Sequence, residues 1–244
     1  MNRIALLVGA LSLTAGPGLA DEGGPSTTVE LQFGSYRPDI DSAFDASTDA
    51  TRPRPYEAAF SNEHTTMIMI GWERLISNVM GSLSFGFGVG YWTVEGAAVS
   101  PLGTPTEAED TTELEILPLQ AQLTYRFDVW AESLLIVPVV RVGVDYYLWE
   151  VLDGSGETAY FDTGSGSRVN EASGGTYGYH TTFGVHILLD ALSPTMAGDF
   201  ERNAGVYNSY LTFDYRISKI DDFAAVDSFR LGDETFVVGL ALQL

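Results

Sequence analysis

Nine ionisable residues fall on the polar side of segments that alternate polar and apolar positions: Glu30, Glu73, Arg126, Arg141, Asp145, His180, His186, Asp214 and Arg216. Carboxylates, guanidiniums and imidazoles on one face could bind a metal, activate water or pair with one another. Spacing argues against the first two. His180 and His186 stand six residues apart in one strand, about 20 Å at ~3.3 Å per residue, too far to share an ion. No nucleophile elbow or comparable local signature accompanies them. Charges taken out of water must be paired. The set therefore reads as an internal salt-bridge and hydrogen-bond network, with Arg126, Arg141 and Arg216 offset by nearby acids. A gated polar path is the sharper alternative, and no residue pattern favours it.

His64, beside Glu63, could act as a base at a loop rim, as a lipid-acting enzyme would need. A solvated loop histidine is the plainer account, because geometry must precede basicity in naming a base. No catalytic residue, cofactor or metal is assigned. Acidic groups cluster elsewhere: Asp39, Asp41, Asp45 and Asp49; Glu107, Glu109, Asp110 and Glu113; Asp153-Gly154-Ser155-Gly156-Glu157; and Asp221-Asp222. Hard divalent cations take oxygen ligands, so these loops are candidates for weak surface binding, but no segment has a full calcium-loop spacing. Asp-Gly-Ser-Gly-Glu is first of all a turn.

The elements that position these groups are strands. Period-two alternation predicts eight, over 28–36, 66–75, 83–92, 117–127, 140–148, 179–187, 207–217 and 235–244. Leu83, Phe85, Phe87, Val89 and Tyr91 against Ser84, Gly86, Gly88 and Gly90 is the cleanest case. Long polar links (37–65, 96–113, 150–174, 218–234) alternate with short ones (76–81, 128–134). In the link after the sixth strand, Ser193-Pro194 and Gly205 bracket a short helix.

Composition narrows the setting. Residues 1–20 have a basic start, an apolar run and a small-residue cleavage pattern ending at Ala20, which reads as a signal peptide and leaves 21–244 as one domain. There is no cysteine, which excludes a lipoprotein, a disulfide scaffold and a thiol enzyme. The chain has 12 Lys+Arg against 33 Asp+Glu; losing Arg3 with the signal leaves 11 against 33, a net of −22. Such a surface argues against nucleic acid as a partner. Lys219 is the single lysine, whereas soluble sheets usually scatter lysines over their outer faces.

The apolar faces could point inward around a ligand, as in a soluble periplasmic lipocalin-like carrier, or outward to lipid. A crowded Gly/Ser/Thr/Gln face suits an interior. Aromatics on the apolar face fall in two bands, Tyr91, Tyr146, Tyr179 and Tyr215 at the long-loop rim and Trp72, Phe85, Tyr125, Phe127 and Tyr207 at the other, as membrane girdles do. The expectation is an all-β, eight-stranded antiparallel up-and-down transmembrane barrel with long extracellular loops and one short periplasmic helix.

Gly239-Leu240-Ala241-Leu242-Gln243-Leu244 resembles the terminal signal that outer-membrane barrels present to their assembly machinery, with Gly239, Leu242 and Leu244 at its key positions. It departs in ending on Leu244 instead of an aromatic and in having Val237 where a polar residue is common. Together with the blocks 117–128 and 205–216, it is similar to a family of uncharacterised small barrels of the myxobacterial type, close in architecture to OmpA/OmpX-like eight-stranded barrels. The resemblance spans essentially the whole mature chain and implies an outer-membrane location and a fold, without an activity. The expected role is non-enzymatic, structural or surface-interacting through the acidic loops, with outer-membrane lipid and lipopolysaccharide as partners. A small-solute pore, a lipid-acting enzyme and a periplasmic carrier are the alternatives.

Overall fold

In the computed structural model, residues 25–43, 54–99, 107–129, 135–162, 168–225 and 228–244 are described. The signal segment and Asp45 and Asp49 of the first loop lie outside them, as do the side chains of Glu107, Glu109 and Asp110.

Eight strands close into one antiparallel barrel: β1 (Thr27–Tyr36), β2 (Thr65–Ser77), β3 (Ser82–Val99), β4 (Glu107–Arg126), β5 (Ile136–Leu152), β8 (Ser173–Leu188), β9 (Asn208–Ile220) and β10 (Asp233–Gln243). A separate two-stranded hairpin, β6 (Tyr160–Asp162) and β7 (Arg168–Glu171), sits in the link between β5 and β8. β1 seals the wall against β10, from Thr28↔Gln243 to Gly34↔Val237. Closure leaves no sheet edge, the only way strands satisfy their backbone in lipid.

The strands run further than hydrophobic alternation alone indicates. β3 and β4 stay paired to Val99↔Glu107, and β5 continues to Leu152, so much of the second and third long links is ladder. Glu and Thr are frequent there, as in Thr111, Thr112, Glu113 and Glu115, and a hairpin needs no lipid-facing side to extend its hydrogen bonds.

Apolar side chains face outward. Leu31, Phe33, Ile68, Ile70, Phe87, Val142, Val144, Phe183, Phe213, Val238 and Leu240 are all exposed. In the aromatic bands Phe85, Tyr91, Phe127, Tyr179 and Tyr207 are exposed, whereas Trp72, Tyr125, Tyr146 and Tyr215 are half-buried. Neighbouring rings cover part of them: Tyr125 on Phe127 at 4.7 Å, Tyr146 on Tyr177 at 4.3 Å and Tyr215 on Phe236 at 5.0 Å.

Among the described residues, two helices stand outside the wall. α2 (Pro194–Ala204) follows a 3-10 turn (Asp190–Leu192), opens on Pro194 and ends at Gly205 in the left-handed region, φ 68°. The first long link also holds a 3-10 turn (Ile40–Ala43) and α1 (Pro55–Phe60), which hydrophobic patterning does not reveal. Six residues are too few to show a helical period.

Candidate functional site

The lumen is built in layers. Its middle is the charged network, and all nine of the ionisable residues on the polar faces are buried there. Arg141 is the hub. Its Nη2 donates to Glu30 Oε2 at 2.6 Å and its Nη1 to Asp214 Oδ2 at 2.7 Å. Its Nε lies 3.5 Å from Glu73 Oε1. Glu73 also accepts from Arg126 at 2.6 Å, Thr124 at 2.6 Å and Gln122 at 3.1 Å. A second group forms around Asp145, which lies 2.8 Å from His180 Nδ1 and accepts from Arg216 at 3.0 Å. Gln122 reaches both groups, with its Oε1 3.2 Å from His180 Nε2.

Glycine makes this crowding possible. A Cβ on Gly184 would stand 1.7 Å from Asp214 Oδ1, and one on Gly143 would stand 2.4 Å from His180 Cε1. Both positions face the lumen, where only a missing side chain leaves space for the neighbouring functional group.

Ligand atoms of Glu30, His186 and Asp214 lie within 4.8 Å of one another, the reach of a metal ion. The guanidinium of Arg141 stands among them, 2.6 Å from Glu30, 2.7 Å from Asp214 and 3.3 Å from His186 Nε2. An organic cation already neutralises this trio.

Above the network, towards the long loops, the lumen turns apolar. Tyr36, Met67, Met69, Trp92, Val94, Leu114, Ile116, Tyr147, Ile220 and Leu231 form a buried cluster, closed from outside by Ile40, Tyr56 and Phe60 of the first loop. The edge-on pair Tyr36–Trp92, with centroids 5.0 Å apart, is at its centre. Asp41 positions α1 by accepting from the Tyr56 amide at 2.8 Å, while Arg37 bridges to Asp41 at 2.7 Å. Tyr56 donates its hydroxyl to Glu63 O at 2.6 Å, and burial pushes its pKa up to about 12. Strand parity alone does not expose this plug, because Tyr36, Trp92 and Tyr147 share the parity of the polar positions. Bulky rings on a lumen-facing parity were the available signal.

Among the described residues, a cavity opens at each end of the barrel. One of about 630 Å³ lies at the short-turn rim beside Arg126 and Tyr210. One of about 730 Å³ lies at the long-loop rim, lined by Arg37, Arg54, Asn62, His64, Arg230 and Asp233 among others. Between them, one lumen cavity beside Tyr36 and Arg216 measures about 20 Å³ and another beside Arg141 and Asp214 about 10 Å³. A single water needs about that much room.

Of the three histidines in the chain, His180 and His186 belong to the network and His64 is exposed at the outer cavity. Several loop acids serve local structure. Asp153 Oδ1 accepts from Ser155 N, Ser155 Oγ and Glu157 N, so this segment is a self-capped turn. Asp222 accepts from Tyr177 N and Asp221 from Ala224 N. Glu113 accepts from the Thr93 hydroxyl. Gly239 packs inward at the β1–β10 seam, Leu242 is half-buried, and exposed Leu244 bonds through its amide to Thr27 O at 2.8 Å.

No protein-family model matches the chain, and no curated protein matches it in sequence. Among solved structures the fold is similar to Neisserial surface protein A at 11% identity, covering 91% of this chain and 100% of that one, with a TM-score of 0.51. It is also similar to the outer membrane protein OprG of Pseudomonas aeruginosa at 9% identity, covering 91% and 97%, with a TM-score of 0.52. At such identities the likeness is one of architecture: the chain has the fold of eight-stranded outer-membrane barrels.

Proposed function

We propose that this protein is an integral outer-membrane barrel, exported by a signal peptide over residues 1–20, with a non-enzymatic structural or surface-interaction role. The observation that carries the reading is the filled lumen inside an apolar exterior. Charged and apolar layers block the axis, and the belt of exposed Leu, Ile, Val and Phe suits lipid. A lipocalin-like carrier would need an apolar lining around a ligand cavity, and here packed charged and apolar layers fill the interior.

Contact with other molecules then belongs to the long-loop face. The acidic loops there enclose the outer cavity, where Arg37, Arg54 and Arg230 converge in a strongly acidic chain. Lipopolysaccharide or another surface ligand is the proposed partner, with divalent cations bridging to the remaining loop acids. The seam carrying Gly239, Leu242 and Leu244 is the proposed handle for the assembly machinery.

Fractionated cells and refolded protein test the reading. Outer-membrane recovery, heat-modifiable migration and no conductance steps in planar bilayers are expected. Detergent-free recovery from the periplasm would overturn the membrane placement, and sustained channel steps would favour the pore. The surface role is tested on intact cells by a photo-crosslinker on Asn62→Cys, with Asn78→Cys at the opposite rim as control. Adducts with lipopolysaccharide from the Asn62 position alone support it; none from either position refutes it.

A further inference from the structure

α2 presents an apolar stripe that the barrel leaves uncovered. Met196 and Phe200 are 65% and 50% exposed, and spacing by four places them along one side of the helix; Leu192, 70% exposed, precedes them on the 3-10 turn, across non-helical Ser193. No residue of the helix is buried, and of its most covered positions Ala197 flanks the stripe while Gly198 stands on the opposite side of the helix. Asp199 and Arg202, bridged at 2.7 Å, occupy another, well-solvated side.

The helix is nevertheless held at both ends. On entry, Leu189 N donates to Ser209 O at 2.9 Å, and Asp190 accepts from the Ser209 hydroxyl at 2.6 Å. On exit, Gly205 N closes on Glu201 O at 3.0 Å and Tyr207 N bonds to Gln243 O at 2.8 Å. None of the residues lining the cavity at the short-turn rim comes from α2, so the helix is not its lid. Immediately after it the chain rejoins the wall at exposed Tyr207, in the aromatic band that also holds Phe127.

From this geometry we infer that α2 is an interfacial anchor whose Met196–Phe200 stripe is buried in the inner-leaflet phospholipid beside the barrel. The inference rests on the membrane placement proposed above. The helix is rooted at the short-turn rim, where the chain returns directly to exposed Tyr207 on the barrel's apolar exterior, and a bilayer is the one apolar phase that this exterior would already occupy. Amphipathic helices of this kind lie in the plane of the interface, apolar side down. The charged side, with Asp199, Glu201 and Arg202, gives no excess of cations for anionic headgroups, so attachment is through the apolar stripe.

The cysteine-free chain allows a direct test. Met196→Cys, Phe200→Cys, Glu201→Cys and, on the belt, Phe213→Cys are spin-labelled singly in the full barrel refolded into phosphatidylcholine vesicles. Heat-modifiable migration verifies folding of each. At positions 196 and 200, oxygen collisions are expected to exceed those of a water-soluble nickel chelate, as at 213, with the reverse at 201. Water-like accessibility at 196 and 200 with a lipid-like 213 overturns the anchor alone. Exclusion of both reagents at 196 and 200, with spin coupling between molecules, also overturns it and assigns the stripe to a second copy. A water-exposed 213 overturns the membrane placement and the anchor with it.

Discussion

Arg141 and Glu30, 111 residues apart in the chain, meet inside the barrel at 2.6 Å, and the same guanidinium holds Asp214 at 2.7 Å. Two strands, β1 and β9, thus depend on a cation supplied by β5. The pairing cross-braces the cylinder where no covalent link exists.

Removing that cation leaves carboxylates buried and uncompensated. Arg141→Met should cost about 3–5 kcal/mol, the penalty for breaking a buried ion pair from one side. Urea titration of the refolded barrel, followed by unboiled gel migration, reads the change. Adding Glu30→Gln and Asp214→Asn should restore part of the loss; an Arg141→Met barrel as stable as the parent refutes the hub.

Gly184 faces Asp214 with no room for a methyl group. Gly184→Ala should destabilise by about 1–3 kcal/mol through forced displacement of that carboxylate. Gly198→Ala is the contrasting case. A Cβ there meets nothing nearer than the Arg202 guanidinium at 3.9 Å. In a helix interior the exchange should stabilise by about 0.5–1 kcal/mol. Equal effects of the two substitutions would contradict the packing described.

Trp92 is 1% exposed at the centre of the plug. Trp92→Ala should cost about 3–5 kcal/mol. It should not open a channel, because the charged layer beneath remains intact. Conductance steps from this variant in planar bilayers would show that the plug alone closes the lumen.

Tyr56 links pH to the seating of the first loop. Its pKa is raised from the ordinary 10.0 to about 12 by burial. An acid with a raised folded-state pKa contributes stability that is complete below pH 10 and is lost as pH rises through 12. Amide exchange in α1 should therefore accelerate across that window. Tyr56→Phe should remove the pH dependence, and an unchanged profile in the variant would disprove the linkage.

Much of the wall was legible as alternation. Leu83 to Tyr91 can hardly be read otherwise, and the parity of Glu30, Glu73, Arg126, Arg141, Asp145, His180, His186, Asp214 and Arg216 placed them on one face. The plug was less visible, because Tyr36, Trp92 and Tyr147 are apolar bulk on the polar parity. The outer ladder of β3 and β4 was hidden as well, since Glu and Thr pairs outside an apolar belt leave no hydrophobic period. α1 is shorter than the period it would need to show.

The sequence by itself determined which side chains share a face, where the chain turns and that the apolar face lacks charge, because these follow from a two-residue repeat and local turn chemistry. Only the tertiary structure decided that Arg141 meets Glu30 and Asp214, that the first loop seals the lumen and that α2 leaves its stripe free. Those relations depend on register and closure between strands far apart in the chain, and a local period carries no information about which rung meets which.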